Sequence, residues 1–269
     1  MNRRSAIAVL AVLVATAVVL SVVLILRGGP TGNPGATGTG TGAVGGPGTG
    51  GTAGPSRSAP TPTGDPYAPP AKTVLATTHG AIPKFRFPGG PQTGKVPGSW
   101  HHAPSVLPVI AQRPGWLHIR LAQRPNESTA WVLAQDATLS STPYAIVLDL
   151  ASTHLGLYRD AHKVFTAPVG VGLRRYPTPV GSFFLAFFAA PPTPAYGAFV
   201  MVTSAHSNVI SDWEMSGDAM TAIHGPLGSD ARIGDTGARV SHGCVRMHQK
   251  DLRRLREVPV GTPVIVRSS

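Results

Sequence analysis

Residues 221–247 read TAIHGPLGSDARIGDTGARVSHGCVRM, and this stretch decides which fold the rest of the chain is expected to adopt. It contains Cys244, the only cysteine among the 269 residues. A single cysteine cannot form an intramolecular disulfide, so the thiol is inert, bound to a metal or reactive. A Ser-His-Gly tripeptide precedes Cys244 and Arg246 follows it. Such polar neighbours fit a dry core poorly, and they favour a reactive thiol.

The residues around Cys244 have the chemistry that a cysteine nucleophile needs. Gly243 can adopt backbone conformations that other residues avoid, so it suits a turn that presents the thiol. We expect the backbone amides of Gly243 and Cys244 to stabilise an oxyanion. A thiol with an ordinary pKa is mostly protonated at neutral pH and needs a base or a positive charge nearby. His224, His242 and Arg246 are the candidates for that role.

The spacing of these residues resembles the signature of the YkuD-type L,D-transpeptidases. Sixteen residues separate His224 from the hexapeptide Ser241-His242-Gly243-Cys244-Val245-Arg246. The resemblance implies that Cys244 is the nucleophile, that His224 is the general acid and base, and that the backbone carbonyl of Gly225 orients His224. It further implies acyl transfer between peptidoglycan stem peptides, with no metal or organic cofactor.

The same resemblance assigns roles to the other residues of the site. Ser241, His242, Gly243 and Gly225 are expected to shape the oxyanion pocket. Arg246 is expected to bind the substrate or, alternatively, to pair with an internal acid. Tyr196 lies in a Pro-rich loop, and it contacts the stem peptide or is an ordinary packed tyrosine.

Two flanking motifs extend the resemblance. Residues 169–183 contain VGVG and PTPVGSF, and residues 261–264 read GTPV. The likeness therefore covers about residues 144–267, and it implies a mainly β catalytic domain over residues 143–269.

Three other functions remain open. His224, His242, Cys244 and His248 could ligate zinc, although no acidic ligand is well placed. The Cys/His pair could use water as the acceptor, which would make the chain an L,D-carboxypeptidase. The chain could also be a non-catalytic protein that binds the cell wall. The remaining histidines, His206 among them, carry no evident role.

The N-terminal part of the chain predicts an exported protein. The run of residues 5–26 is uncharged and apolar, and as a helix of ~33 Å it would cross a hydrocarbon core of ~30 Å. Arg3 and Arg4 precede the run, which predicts a single-pass anchor over residues 1–27 with the remainder outside the cell membrane, facing the wall. The alternative is a signal peptide cleaved after Ala17. Residues 28–71 are rich in Gly, Thr and Pro and predict a disordered linker.

Residues 72–142 predict a small β module. Trp116–Leu121 alternates with the period of a strand, and a second apolar run follows the turn signal Pro125-Asn126-Glu127. The pattern resembles bacterial SH3-like modules. Residues 72–143 contain seven Lys or Arg against two acids, out of a net charge of +11 for the whole chain. On an exported protein this charge favours anionic wall polymers or the membrane surface as partners, or it is only a solvated surface. Nucleic acid is not an expected partner, because the chain is expected to be exported.

The catalytic domain shows strand patterns and one helix pattern. Strands are predicted over 144–150, in a hairpin within 157–165, over 181–188 and over 199–204, with a last strand at 264–266 that closes the sheet. A helix is predicted over His248–Val258, because Leu252, Leu255 and Val258 form an apolar stripe.

Overall fold

A computed structural model describes residues 69–213, 217–235 and 238–268, which form two β-sheets that share part of their core. The predicted anchor and the predicted linker up to residue 68 lie outside these residues. Among the residues that the model describes, no helix is long and apolar enough to cross a membrane.

The N-terminal sheet has seven strands, and every neighbouring pair is antiparallel. The strands of this region are β1 (Thr73–Thr78), β2 (Ile82–Phe85), β3 (Gln92–Val96), β4 (Ser99–Trp100), β5 (Ala103–Pro104), β6 (Val106–Arg113), β7 (Trp116–Arg120), β8 (Thr129–Leu133) and β9 (Ala137–Thr142). Strands β4 and β5 form a separate two-stranded pair. The order across the sheet is β3-β2-β8-β7-β6-β1-β9. The two strands predicted from alternation are β7 and β8, and a 3₁₀ turn, Ala134–Asp136, follows β8. The SH3-like assignment stays a prediction.

We call the region after residue 142, which the sequence predicts to be catalytic, the catalytic part. It contains an eight-stranded mixed sheet and the separate pair β13 and β17. Its strands are β10 (Tyr144–Asp149), β11 (His154–Arg159), β12 (His162–Pro168), β13 (Val171–Gly172), β14 (Gly181–Ala189), β15 (Val200–His206), β16 (Met220–His224), β17 (Arg239–Ser241), β18 (Val245–Arg246) and β19 (Pro263–Arg267). The order is β12-β11-β10-β19-β14-β15-β16-β18, and within the described part of this sheet the parallel pairs are β10–β19 and β16–β18. The separate pair β13–β17 is also parallel.

The predicted last strand, 264–266, lies within β19, in the middle of the sheet between β10 and β14. The hairpin predicted within residues 157–165 is confirmed as β11 and β12. The prediction of a helix over His248–Val258 is wrong in length. The observed α-helix, α1, covers only Gln249–Leu252, and a 3₁₀ turn over Arg253–Leu255 follows it.

The apolar stripe explains why α1 stops early. Leu252, Leu255 and Val258 are almost fully buried in the catalytic core. Their spacing of three residues matches the three residues per turn of a 3₁₀-helix, whereas an α-helix of 3.6 residues per turn would rotate the stripe away from the core. Burial of the stripe therefore favours the tighter turn. Two further 3₁₀ turns, Pro194–Tyr196 and Asp230–Arg232, lie in loops next to the site.

Strand β14 joins the two cores. Its alternate side chains Phe183 and Leu185 are buried in the catalytic core, and Phe184 and Phe187 are buried in the core of the N-terminal sheet. A strand covered on both faces has no polar face, which explains the unbroken apolar run of residues 183–188. The N-terminal sheet therefore packs directly on the catalytic sheet.

Candidate active site

The pairing of β16 with β18 brings the histidine and the cysteine of the signature together. In this parallel pair His224 lies opposite Arg246, and Ile223 lies opposite Val245. Side chains alternate along a strand, so Cys244, two residues before Arg246, is placed on the same face as Arg246 and His224. All three line one cavity of ≈ 120 Å³.

His224 is held in the protonation state of a general base. Its side chain is buried, and its Nδ1 lies 2.8 Å from the carbonyl oxygen of Gly225. A carbonyl can only accept a hydrogen bond, so Nδ1 carries the proton and Nε2 keeps a lone pair. Burial lowers the pKa of His224 to about 4; the Gly225 bond opposes this shift, and the charge of Arg246 adds to it. The imidazole is therefore neutral at pH 7 and able to accept a proton.

Cys244 is correspondingly a protonated thiol. Burial raises the pKa of Cys244, while a hydrogen bond with the backbone of Ala222 and the positive charge of Arg246 oppose that rise. The residue as a whole is only half-buried. A neutral thiol beside a neutral imidazole means that the proton must move when the nucleophile attacks. Both shifts favour a neutral pair over a preformed thiolate–imidazolium ion pair.

A network of hydroxyl groups fixes the turn that carries Cys244. The Ser241 hydroxyl donates to the carbonyl of Cys244 and accepts a hydrogen bond of 3.1 Å from the N–H of Gly243. From the other side, the buried hydroxyl of Thr178 donates to the carbonyl of Gly243 at 2.9 Å and accepts from the N–H of Gly172 at 2.9 Å. Gly243 has φ 124°, which other residues rarely adopt.

This network changes the prediction for the oxyanion hole. The N–H of Gly243 is committed to the Ser241 hydroxyl within the turn. Of the two predicted donors, the amide of Cys244 is therefore the one left for the oxyanion role. Gly243 serves the turn through its backbone conformation.

The loop that carries Tyr196 is packed tightly against the strand end after His224. The N–H of Gly225 donates to the carbonyl of Tyr196 at 2.6 Å, and the N–H of Leu227 donates to the carbonyl of Ala195 at 3.1 Å. A Cβ on Gly225 would lie 2.8 Å from backbone atoms of Tyr196, so only glycine fits here. The ring centroid of Tyr196 lies 4.7 Å from that of His224, and Tyr196 lines the cavity. Tyr196 is thus part of the wall beside the base.

Arg246 brings positive charge to the same cavity. Its guanidinium donates to the Ser229 hydroxyl at 2.6 Å and to the carbonyl of Leu227 at 3.4 Å. Its Nε is buried and has no hydrogen-bond partner among the described residues. None of the ion pairs among the described residues includes Arg246. Its charge is therefore not neutralised by an acid within that part of the chain.

His242 lies at the exposed mouth of the cavity. Its ring centroid lies 4.6 Å from that of Tyr176 and 5.7 Å from that of Trp213. Trp213 and Ile210 come from the irregular segment after β15 and add apolar surface to the cavity lining. His242 is thus an exposed part of the cavity lining that packs against two aromatic rings.

Several residues of the site were missed by sequence reasoning. Thr178 lies within the quoted PTP motif, so the motif marked the position although it did not reveal the hydrogen bond to the turn. Ile210, Trp213 and Ser229 lie in irregular segments that carry no periodic signal. Only the folded chain brings Ile210 and Trp213 to the cavity and Ser229 to Arg246.

Among residues 69–213, 217–235 and 238–268, no group of three or more His, Cys, Asp or Glu side chains could hold a metal ion. His248, one of the four candidate zinc ligands, instead lies with its Nδ1 2.8 Å from a carboxylate oxygen of Asp230.

Comparison with known proteins places the catalytic part in a family. Residues 143–266 match the family model described as YkuD, the L,D-transpeptidase catalytic domain. The YkuD proteins of Bacillus licheniformis and Bacillus subtilis are each 30% identical over 125 residues, which is 46% of this chain and 66% of theirs. The match thus spans slightly less than two thirds of the length of these relatives.

Solved structures with a similar chain include an L,D-transpeptidase from Mycobacterium smegmatis. It has a TM-score of 0.38 and 17% identity, over 60% of this chain and 82% of that one. The catalytic domain of the E. faecium L,D-transpeptidase has a TM-score of 0.33 and 25% identity, over 46% of this chain and 96% of that one.

The fold and the site define a mainly β domain built around a cysteine and a histidine. The match of residues 143–266 to the YkuD model of L,D-transpeptidase catalytic domains confirms the resemblance found in the sequence.

Proposed function

We propose that the chain is an L,D-transpeptidase that cross-links peptidoglycan stem peptides through a thioester on Cys244. One observation carries the proposal. His224 is fixed by the Gly225 carbonyl with its Nε2 unprotonated, on the same strand face and in the same cavity as the only thiol of the chain. This is the arrangement of a nucleophile and its base, with a backbone carbonyl in the place of the third triad member.

In the first half-reaction the donor stem acylates the enzyme. His224 Nε2 takes the proton of the Cys244 thiol as sulfur attacks the carbonyl carbon of the third stem residue. The oxyanion of the tetrahedral intermediate accepts a hydrogen bond from the amide of Cys244. The intermediate collapses when the C–N bond to D-alanine breaks, and the imidazolium of His224 protonates the departing amine.

In the second half-reaction an amine of a neighbouring stem attacks the thioester. His224 accepts a proton from that amine, a new amide bond forms, and the C–S bond breaks. The proton returns from His224 to sulfur and regenerates the thiol. Protons and bonds balance over the cycle without a redox step, a metal or an organic cofactor.

Arg246 and Tyr196 are proposed to act on the substrate. The charge of Arg246 has no acidic partner among the described residues, and it suits a carboxylate of the stem peptide. The same charge opposes the raised pKa of Cys244, so it also favours the thiolate as the proton leaves. Tyr196 packs on His224 and offers a wall against which the peptide can lie.

The location of the enzyme follows from its proposed substrate. A wall peptide is available only outside the cytoplasm, which agrees with a membrane anchor over residues 1–27 and a linker that reaches into the wall. The basic N-terminal sheet would then face anionic wall polymers.

The test is the intact mass of the full chain, purified in mild detergent, after mixing with a tetrapeptide stem that ends in D-alanine. The unsubstituted protein should gain the mass of the tripeptide acyl group, and D-alanine should be released. Cys244→Ala should gain nothing, and His224→Gln should acylate at least 100-fold more slowly because the base is lost. His162→Gln, which changes an exposed histidine on β12, is the matched control and should behave like the unsubstituted protein.

Two other results would direct the assignment elsewhere. Release of D-alanine with the free tripeptide as product, even at high amine concentration, would identify an L,D-carboxypeptidase. Absence of any adduct, together with binding of wall fragments that survives Cys244→Ala, would identify a wall-binding protein and overturn the proposed function.

A further inference from the structure

The segment that connects β15 to β16 forms one wall of the candidate active site, and its described residues contain no helix or strand. We call residues 207–213 and 217–219 the wall segment. It contributes Ser207, Ile210, Trp213 and Ala219 to the cavity lining. Two backbone hydrogen bonds join its described residues, from Ser207 N–H to the Ala219 carbonyl at 2.8 Å and from Trp213 N–H to the Asp218 carbonyl at 2.9 Å. The Ser207 hydroxyl also accepts from the N–H groups of Val209 and Ile210, and the Asp212 carboxylate accepts from the N–H of Gly217. Trp213 is 42% exposed, so burial contributes little to its position.

A loop of the N-terminal sheet makes further hydrogen bonds to the wall segment. Residues 121–128, which connect β7 to β8, lie against the wall segment. Arg124 donates to the carbonyl of Ser207 at 2.8 Å and to the carbonyl of Ile210 at 3.0 Å, and its Nε lies 3.3 Å from a carboxylate oxygen of Asp218. One planar guanidinium thus ties three points of the same segment together.

Asn126 holds the start of the segment from the same loop. Its side-chain NH₂ donates to the carbonyl of His206 at 2.8 Å, and its side-chain oxygen accepts from the N–H of His206 at 2.8 Å. The amide therefore satisfies both backbone groups of one residue, as a neighbouring strand would. The NH₂ group also lies 3.1 Å from the side-chain oxygen of Asn208.

Asp218 connects the two ends of the wall segment. Its second carboxylate oxygen lies 2.8 Å from Nε2 of His206, whose side chain is 1% exposed. The carboxylate is therefore shared between Arg124 of the N-terminal sheet and His206 at the end of β15. Glu127 fastens the loop independently, since its carboxylate accepts a hydrogen bond of 2.9 Å from the N–H of Ser182 on β14.

We propose that Arg124 and Asn126 are positioning residues that hold the wall segment where Ile210 and Trp213 contact the donor stem. The proposal rests on the proposed transpeptidase function for the identity of that substrate. Neither residue lines the cavity, and the contacts of both lead to backbone groups and side chains of the wall. Their loss should therefore weaken substrate binding while the Cys244–His224 pair stays intact. The N-terminal sheet is then a structural part of the substrate cleft.

The experiment compares Arg124→Ala, Asn126→Asp and Arg124→Lys in the full chain. Asn126→Asp keeps the size and the acceptor but loses the donor to the His206 carbonyl. For each variant the acylation rate is measured by intact mass over a range of tetrapeptide concentrations. We expect the half-saturating concentration to rise about tenfold for Arg124→Ala and Asn126→Asp, with the maximal rate within about threefold of the unsubstituted protein. Arg124→Lys should recover part of the loss, because it keeps the charge but not the fork.

Two readouts separate positioning from general damage. Alkylation of Cys244 by iodoacetamide should proceed at an unchanged rate in all three variants, because the wall segment does not hold the thiol. Chymotrypsin should cleave after Trp213 at least fivefold faster in Arg124→Ala. Arg86→Ala, an exposed arginine of the same sheet, is the matched control and should match the unsubstituted protein throughout.

The outcomes distinguish this proposal from the proposed function. Variants that acylate and resist chymotrypsin like the unsubstituted protein would overturn the positioning role and leave the transpeptidase function standing. Variants that lose alkylation, acylation and protease resistance together would show a purely structural role and would also overturn it. An unsubstituted protein that forms no adduct, while Arg124→Ala still releases the wall segment to chymotrypsin, would overturn the function and keep the positioning of the wall.

Discussion

Replacing His224 with glutamine should make the folded chain less sensitive to acid. Burial lowers the pKa of His224 to about 4, whereas an exposed histidine in the unfolded chain has a pKa of ~6.5. Between these values the unfolded chain binds a proton that the folded chain does not bind. The stability that the neutral imidazole provides is therefore complete above pH 6.5 and is lost as the pH falls toward 4.

The size of the effect follows from the two pKa values. A difference of ~2.5 units corresponds to a loss of at most ~3.4 kcal/mol in the free energy of unfolding, at ~1.36 kcal/mol per unit. Single-site linkage gives ~1.8 kcal/mol of that loss between pH 7 and pH 5. Glutamine does not titrate, so the variant lacks this pH-dependent contribution to the free energy of unfolding. Its side-chain NH₂ can still donate to the Gly225 carbonyl, so the hydrogen bond is kept.

The assay is urea unfolding at pH 7 and pH 5, followed by tryptophan fluorescence. Between pH 7 and pH 5 the free energy of unfolding of the unsubstituted protein should fall by ~1.8 kcal/mol more than that of His224→Gln. The control His162→Gln should behave like the unsubstituted protein. Equal losses in His224→Gln and the unsubstituted protein would refute the lowered pKa. A smaller loss in the unsubstituted protein than in the variant would indicate an imidazolium paired with a thiolate, which is the opposite electrostatic arrangement.

Three further predictions concern the geometry and charge of the site. Gly225→Ala should cost about 1–3 kcal/mol in urea unfolding and slow acylation, because its Cβ would press on backbone atoms of Tyr196. Ser241→Ala should cost about 1–2 kcal/mol and slow acylation about tenfold in the intact-mass assay, since both of its hydrogen bonds hold the Cys244 turn. The rate of Cys244 alkylation should rise with pH through a midpoint above the ordinary thiol pKa of ~8.5, and Arg246→Gln should move that midpoint higher; full reactivity at pH 6 would contradict the protonated thiol.

The strands of the catalytic sheet were predictable because their pattern is local. Alternation along β10 and the turn between β11 and β12 gave these elements their correct places. The apolar run in β14 predicted a buried strand, but it could not show what covers each face. Covering both faces requires the N-terminal sheet, which is distant in sequence.

The site was predictable to the extent that its residues share one short motif. Spacing in the sequence marked Cys244 and His224, and the structure brings them to one strand face. Spacing could not show that the N–H of Gly243 is used inside the turn, because the competing acceptor is a side chain whose rotamer depends on packing. It also could not show a role for His206, whose backbone and ring partners are Asn126 and Asp218.

A neutral Cys244–His224 pair determines where control of the reaction lies. If the thiolate formed in the resting enzyme, reactivity would follow from the pKa of the thiol alone, and the position of the substrate would matter less. With the proton still on sulfur, attack requires the thiol, His224 Nε2 and the substrate carbonyl to be aligned at the same moment. Under the proposed function, rigidity of the Cys244 turn then affects the rate of attack, and rigidity of the cleft wall affects how the substrate binds. The Ser241 hydroxyl secures the turn, and Arg124 of the N-terminal sheet secures the wall, so residues that never touch the reacting atoms decide how often that alignment occurs.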